Sequence, residues 1–389
     1  MPAIPPQYNR TANRYTAAME NGQSIDTPDR DAMRRAFGLL VECCRQSFAA
    51  TDPARLKSAM ADVDWALFLA LARRHRVEGL AAEGLRSVST AVPSTIATAL
   101  AEDSARIARD GLTSAVECGR LNTTFAGASV PLLFVKGLAL ARLAYPNPFV
   151  KMGWDIDLLV DPANVSRAAS VLDRLGYCAQ TPADADAIVR WHRLNKESVW
   201  SCGLHFVELH SRLADNRRTI PIITVHSPRQ LVEITPGLIL PTLARDELFA
   251  YLTVHGGSSN WFRLKWVCDL AALVRGCDAS ELTRLVVTAR KFGAGRAPAQ
   301  AVLLCADLFG GTFVEAAAML RLNHDPLNRW LAASAMAELV GKRAHHEPTE
   351  RRLGTVRMHL THLGLGAGWV YPAQEFARKV TEQLGRRRS

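Results

Sequence analysis

Two hydrophobic rhythms divide the chain. From Arg30 to Phe48, Met33, Phe37, Leu40, Val41 and Cys44 recur at the three-and-four spacing of one helix face. Thr51 or Asp52 is placed to cap the next segment, and Asp64 to cap the apolar helical run WALFLALARRHRVEGLAAEGLRS. There Trp65, Phe68, Leu69 and Ala72 share a side, and His75 reads as a helix-surface residue rather than a ligand. Pro93–Phe125 predicts another long helix. The rhythm then changes. Leu132–Val135, Trp154–Val160 and Leu204–His210 are short apolar runs of strand length. Between the first two lies a helix over Leu138–Tyr145, broken by Pro146-Asn147-Pro148. A second helix, Pro162–Leu175, opens on a proline and closes at Gly176.

Asp184–Ser201 keeps neither period and reads as helix followed by strand. Arg217–Pro241, with several prolines and Thr/Ile runs, reads as a crossing between regions. Helical spacing then returns over Asp246–Val254, Leu264–Val274, Ser280–Lys291, Pro298–Phe309, Pro326–Leu339, Arg351–Leu363 and Ala373–Leu384. The predicted class is α+β, a small mixed sheet with helical regions before and after it. Four stretches follow: a polar, aperiodic tail over 1–28 expected to be disordered, an N-terminal helical region over 29–128, an α/β core over 129–243 and a C-terminal helical region over 244–389.

The second apolar run carries two aspartates. Asp155 and Asp157, at i and i+2 of a strand, share a face with backbones about 6.6 Å apart. Ile156, Leu158, Leu159 and Val160 around them require burial of at least one face. Buried carboxylates must be paired, protonated or bound to a cation, and a divalent metal answers the need of two together.

The ordered set of Lys136-Gly137, a short helix, Tyr145-Pro146 and then Asp-Ile-Asp-Leu-Leu-Val resembles the uncharacterised nucleotidyltransferase family, a branch of the polymerase-beta-like nucleotidyltransferase superfamily. The resemblance is closest over Leu132–Tyr177 and continues more weakly to about Val274. It implies a metal-dependent transfer of a nucleoside monophosphate from an NTP, with Mg²⁺ or Mn²⁺ as cofactor. Asp155 and Asp157 match the superfamily's paired aspartates, and Glu208, on the strand Phe206–His210, matches the third acidic position. Lys136-Gly137 stands where much of the superfamily has Gly-Ser; Gly137 would let backbone approach a phosphate at a helix start, and Lys136 would meet the β- or γ-phosphate or simply reach water. Lys151 would neutralise phosphate or lie on solvated surface. His210 shares the face of Glu208 and would act as a base, orient a ligand or serve structure. His255, Trp266 and Asp269 recur in the family; Asp269 on an apolar helix wants a partner, His255 or Arg263, as a structural bridge or part of an acceptor pocket.

Composition narrows the picture further. A hydrophobic fraction of 48% and a charged fraction of 22% are those of an ordinary soluble globular chain. A net charge of +10 suits an anionic ligand, but no nucleic-acid-binding motif or basic-aromatic stretch accompanies it, so nucleic acid is not the expected partner. Eight cysteines without a Cys-x-x-Cys pair exclude a zinc ribbon and read as reduced, buried thiols of a cytoplasmic protein. No apolar run reaches membrane-spanning length, and the polar start is unlike a signal peptide. The expected partners are an NTP and an acceptor whose identity, small molecule, sugar or protein, the sequence leaves open. The alternative is a non-catalytic nucleotide- or partner-binding protein on the same scaffold. With three carboxylates expected to repel, replacing one is predicted to leave folding unchanged or slightly improved.

Overall fold

The structure is a computed structural model that describes residues 29–49, 52–153, 155–184, 187–341, 346–348, 355–366, 371–375 and 378. The tail expected over 1–28 and most of the helix expected over Ala373–Leu384 lie outside the described residues, as do Thr51, Trp154 and residues 351–354.

Among the described residues five α-helices come first: α1 (Arg30–Arg45), α2 (Pro53–Ala59), α3 (Trp65–His75), α4 (Glu78–Leu85) and α5 (Ser94–Gly127). Asp52 and Asp64 cap α2 and α3, their carboxylates accepting from the Arg55 and Leu67 amides at 3.0 Å. The chain then runs through β1 (Leu132–Phe134), α6 (Gly137–Ala144), β2 (Asp155–Val160), α7 (Val165–Arg174), β3 (Cys178–Thr181), α8 (Ile188–Leu194), β4 (Glu197–Cys202) and β5 (His205–His210). The five strands form one mixed sheet in the order β1-β2-β5-β4-β3, in which only β2 and β5 are parallel.

The crossing expected over Arg217–Pro241 contains structure of its own. Strands β6 (Arg229–Thr235) and β7 (Leu238–Leu243) form a hairpin that packs against β1 and α6. Its turn is Pro236-Gly237, with Gly237 at φ +82°, where a side chain would be strained. The α-helices that follow among the described residues include α9 (Arg245–Ser258), α10 (Leu264–Leu273), α11 (Ala279–Lys291), α12 (Ala297–Phe309), α13 (Thr312–Met319), α14 (Pro326–Val340) and α15 (Val356–Leu365).

The period of two along the strands decides where the site sits. Leu132, Phe134, Ile156, Leu158, Val160, Val207 and Leu209 face one core, which they share with α5 and α7. Leu133, Val135 and Leu159 face a second, larger core that joins α1, α3 and α4 to α9–α12. Asp155, Asp157, Glu208 and His210 alternate with the first set, so they point toward the second core. That side is covered by helices, and the charges are buried as a consequence. The cover is close: a Cβ on Gly79 of α4 would lie 2.2 Å from the Val150 carbonyl oxygen, so only glycine lets α4 approach the turn that leads into β2. His75, expected on a helix surface, is fully buried at the end of α3 and accepts a hydrogen bond from the Leu264 amide at 3.1 Å.

Candidate active site

Parallel pairing of β2 with β5 sets Asp157 directly beside Glu208 and Leu159 beside His210. Antiparallel pairing of β4 with β5 sets Glu197 beside His210. Cross-strand partners project to the same side, so Asp157, Glu208, His210 and Glu197 meet. The His210 Nε2 atom is 3.1 Å from Asp157 Oδ1 and 3.6 Å from Glu208 Oε2, and Nδ1 is 3.2 Å from Glu197 Oε2. The last contact lies within ion-pair reach but lacks hydrogen-bond geometry, which leaves Nδ1 without a hydrogen-bond partner. Lys136 Nζ stands 2.6 Å from the same Asp157 oxygen, and Lys196 Nζ 2.7 Å from Glu197 Oε2. The result is a buried chain of alternating charge, Lys136–Asp157–His210–Glu197–Lys196.

The charges order themselves by what each group faces. Burial opposes ionisation of Asp157, but the Lys136 ammonium and His210 outweigh it and hold the carboxyl below its ordinary range. Glu197 is also disfavoured by burial, yet Lys196 and then His210 bring it down to about 2. Among the described residues Glu208 has no lysine against it, and His210 at 3.6 Å only partly offsets what opposes its charge. Burial, then the negative charges of Glu197 and Asp155, push it up to about 7. His210 works against burial through its contacts with Asp157, Glu208 and Glu197, and rises to about 9.

Asp155, half-buried at the start of β2, lines a pocket with Asp157, Lys136, Gly137 and Lys151. Gly137 opens α6 at φ +60°, a conformation that favours glycine and lets backbone reach into the pocket. Lys151 is not on solvated surface: its side chain is 7% exposed and lies 3.5 Å from Asp269. The partners of Asp269 are therefore Lys151 and Tyr145, whose hydroxyl donates to it at 3.0 Å, rather than the expected His255 or Arg263. Arg263 instead pairs with Glu347 at 2.9 Å. His255 packs edge-on against Trp266 with centroids 5.3 Å apart, and burial followed by the charges of Lys136 and Lys196 keeps its imidazole well below its ordinary range. Glu208 and His210 thus converge with Asp157, while Lys151 and Asp269 form a separate bridge that secures the turn before β2.

Four groups were not singled out from the sequence. Glu197 and Lys196 lie in the stretch with no clear period. Tyr251 of α9 is buried over Lys136 and Asp157. Lys265, buried at the start of α10, donates to the Met152 carbonyl at 3.1 Å, and burial, then Lys151 and Arg76, hold its amine well below the usual value. A lysine in the apolar run Leu264–Leu273 was the available signal for this last one.

Among the described residues, no helix is long and apolar enough to cross a membrane. The chain matches no curated protein and no solved structure. It does match a family model described as "Uncharacterised nucleotidyltransferase", over residues 61–310. Because the match spans helices on both sides of the sheet as well as the Asp-x-Asp strand, the chain belongs to the uncharacterised nucleotidyltransferase family.

Proposed function

We propose that the protein is a metal-dependent nucleotidyltransferase that moves a nucleoside monophosphate from an NTP to a hydroxyl or phosphate acceptor. The observation that carries this reading is the convergence of Asp157, Glu208 and His210, whose ligand atoms all lie within 4.8 Å of one another. Two carboxylates and an imidazole fit Mn²⁺, while Asp155 lies outside that set, in the lining of the adjoining pocket, and would be the third carboxylate for Mg²⁺. The orientation of His210 supports the fit. A carboxylate stands at Nδ1 and two stand at Nε2, so Nε2 needs a proton or a cation between itself and them. Asp155, Asp157 and Glu208 would hold the metal, with His210 added to the set. When bound, the ion offsets charge at the reacting phosphate.

The chain's own residues supply the rest. Lys136 and the Gly137 backbone face the pocket where a triphosphate would lie, with Lys151 behind them. The acceptor oxygen bonds to the α-phosphorus as the α–β bridge breaks and pyrophosphate leaves, and positioning with charge stabilisation is the work required of the protein. The many free thiols suit a cytoplasmic setting. One observation favours the alternative of a non-catalytic binder: Lys136 and His210 already satisfy Asp157. Each α-labelled NTP, incubated with the protein, Mg²⁺ or Mn²⁺ and a cell lysate as acceptor source, separates the two. Label transfer is the expected result; nucleotide binding without transfer to any acceptor would favour the binder.

Two further results are expected. Lys136→Ala weakens NTP binding by roughly tenfold to a hundredfold, the equivalent of one charge-assisted contact of about 1.5–3 kcal/mol; equal affinities by calorimetry would remove Lys136 from the phosphate site. Mn²⁺ affinity rises with pH. Glu208 must lose its proton, which it does at about 7, and His210 must lose its own, at about 9. Between pH 6 and 9 the metal therefore displaces protons, and affinity climbs with each unit. A flat profile in calorimetry would show that neither group is a ligand.

A further inference from the structure

A second cavity, of about 450 Å³, opens among α9, α11, α12 and α14. It shares no lining residue with the pocket beside Asp155. Three arginines line it, Arg218, Arg290 and Arg296, against one carboxylate, Asp325. Arg296 is already engaged: Nη1 donates to the Gly366 carbonyl at 2.7 Å, and Nε lies 3.4 Å from Asp325. Among the described residues, the guanidinium groups of Arg218 and Arg290 meet no carboxylate and no carbonyl. Desolvation and then the like charge of Arg296 pull Arg290 below its ordinary range, with Asp325 opposing. The cavity therefore carries an uncompensated charge of about two.

At its wall stands Asn328, 4% exposed. Its Nδ2 donates to the Leu322 carbonyl at 3.4 Å, which fixes the amide orientation, and its Oδ1 has no partner. A buried acceptor without a donor is unfavourable until a ligand supplies one. The cavity thus offers two exposed guanidinium groups to an anion and an unpartnered buried acceptor, Asn328 Oδ1, to a hydroxyl, within a volume suited to a small molecule.

We propose that this cavity binds a phosphorylated, hydroxyl-bearing small molecule. The phosphate takes the forked donors of Arg290 and Arg218, the pairing for which guanidinium geometry is suited. A hydroxyl of the same molecule donates to Asn328 Oδ1. The site stands apart from the proposed nucleotidyl transfer and does not depend on it.

The test uses the full chain in buffer free of metal and nucleotide, so failure of the transfer reading leaves it intact. Ribose 5-phosphate, inorganic phosphate and ribose are titrated separately by calorimetry. Ribose 5-phosphate is expected to bind at least tenfold more tightly than inorganic phosphate, and ribose not at all. Arg290→Gln combined with Arg218→Gln should weaken ribose 5-phosphate at least tenfold with Tm unchanged, since both side chains are exposed. Arg290→Lys, which keeps the charge and loses the fork, should fall between. Undiminished binding by the double variant, or no preference for the sugar phosphate over inorganic phosphate, would overturn the assignment.

Discussion

Asp157→Asn is expected to reduce nucleotidyl transfer at least a thousandfold and also to weaken the fold. The activity loss follows from its position in the proposed metal set, where the ion supplies several kcal/mol of transition-state stabilisation. The stability loss follows from geometry. Asp157 is 3% exposed and holds Lys136 at 2.6 Å and His210 at 3.1 Å on one oxygen. Removing one member of a buried ion pair leaves the other charge stranded, at about 3–5 kcal/mol. Urea unfolding measures it directly, and Lys136→Met added to Asp157→Asn should restore part of the stability but none of the activity. Three carboxylates considered alone predict the opposite sign, relief of repulsion. The structure reverses it, because two basic side chains that the spacing of the acids does not reveal neutralise the first of them. A stable Asp157→Asn protein with full activity would refute both halves.

Asp269→Ala should be about as damaging to stability, by about 3–5 kcal/mol in urea unfolding. Asp269 is 3% exposed and the only acceptor seen for Tyr145 Oη and Lys151 Nζ among the described residues. Without it, the Lys151 ammonium is left in a low-dielectric setting beside Lys265. Tyr145 ends α6, and Lys151 lies in the turn before β2, so the bridge ties both approaches to the pocket onto α10. NTP affinity should fall in the same variant. A change under about 1 kcal/mol would show that solvent reaches Lys151.

Much of this was legible in the chain. Leu132–Val135, Trp154–Val160 and Leu204–His210 read as strands because each is apolar over a strand's length, and the helices before and after kept their period. Two features were only partly legible, for different reasons. β4 was legible only as a strand somewhere after a helix, because Glu197 at its start and Lys196 just before it are polar where they face the site, which weakens the hydrophobic signature of the strand. In the hairpin, Val232 and Ile234 are buried while Leu231 is exposed, so apolar residues lie on both faces and blur the alternation. Pro241 within β7 weakened it further, although Pro236-Gly237 was a turn signal in plain view. Which carboxylates converge followed from pairing register. Which lysines answer them did not, since Lys136 and Lys196 reach the interior from positions just outside the strands and helices.

The parallel pairing of β2 with β5 has a kinetic consequence. His210 and Asp157 are 53 residues apart in sequence, and a parallel neighbour cannot be reached by a tight turn. Closing that long excursion must precede any meeting of the two strands, which places the site among the slow, non-local steps of folding. A cation that binds only the completed cluster has nothing to hold in the early chain. It therefore slows the escape from the folded state and leaves the rate of reaching it unchanged.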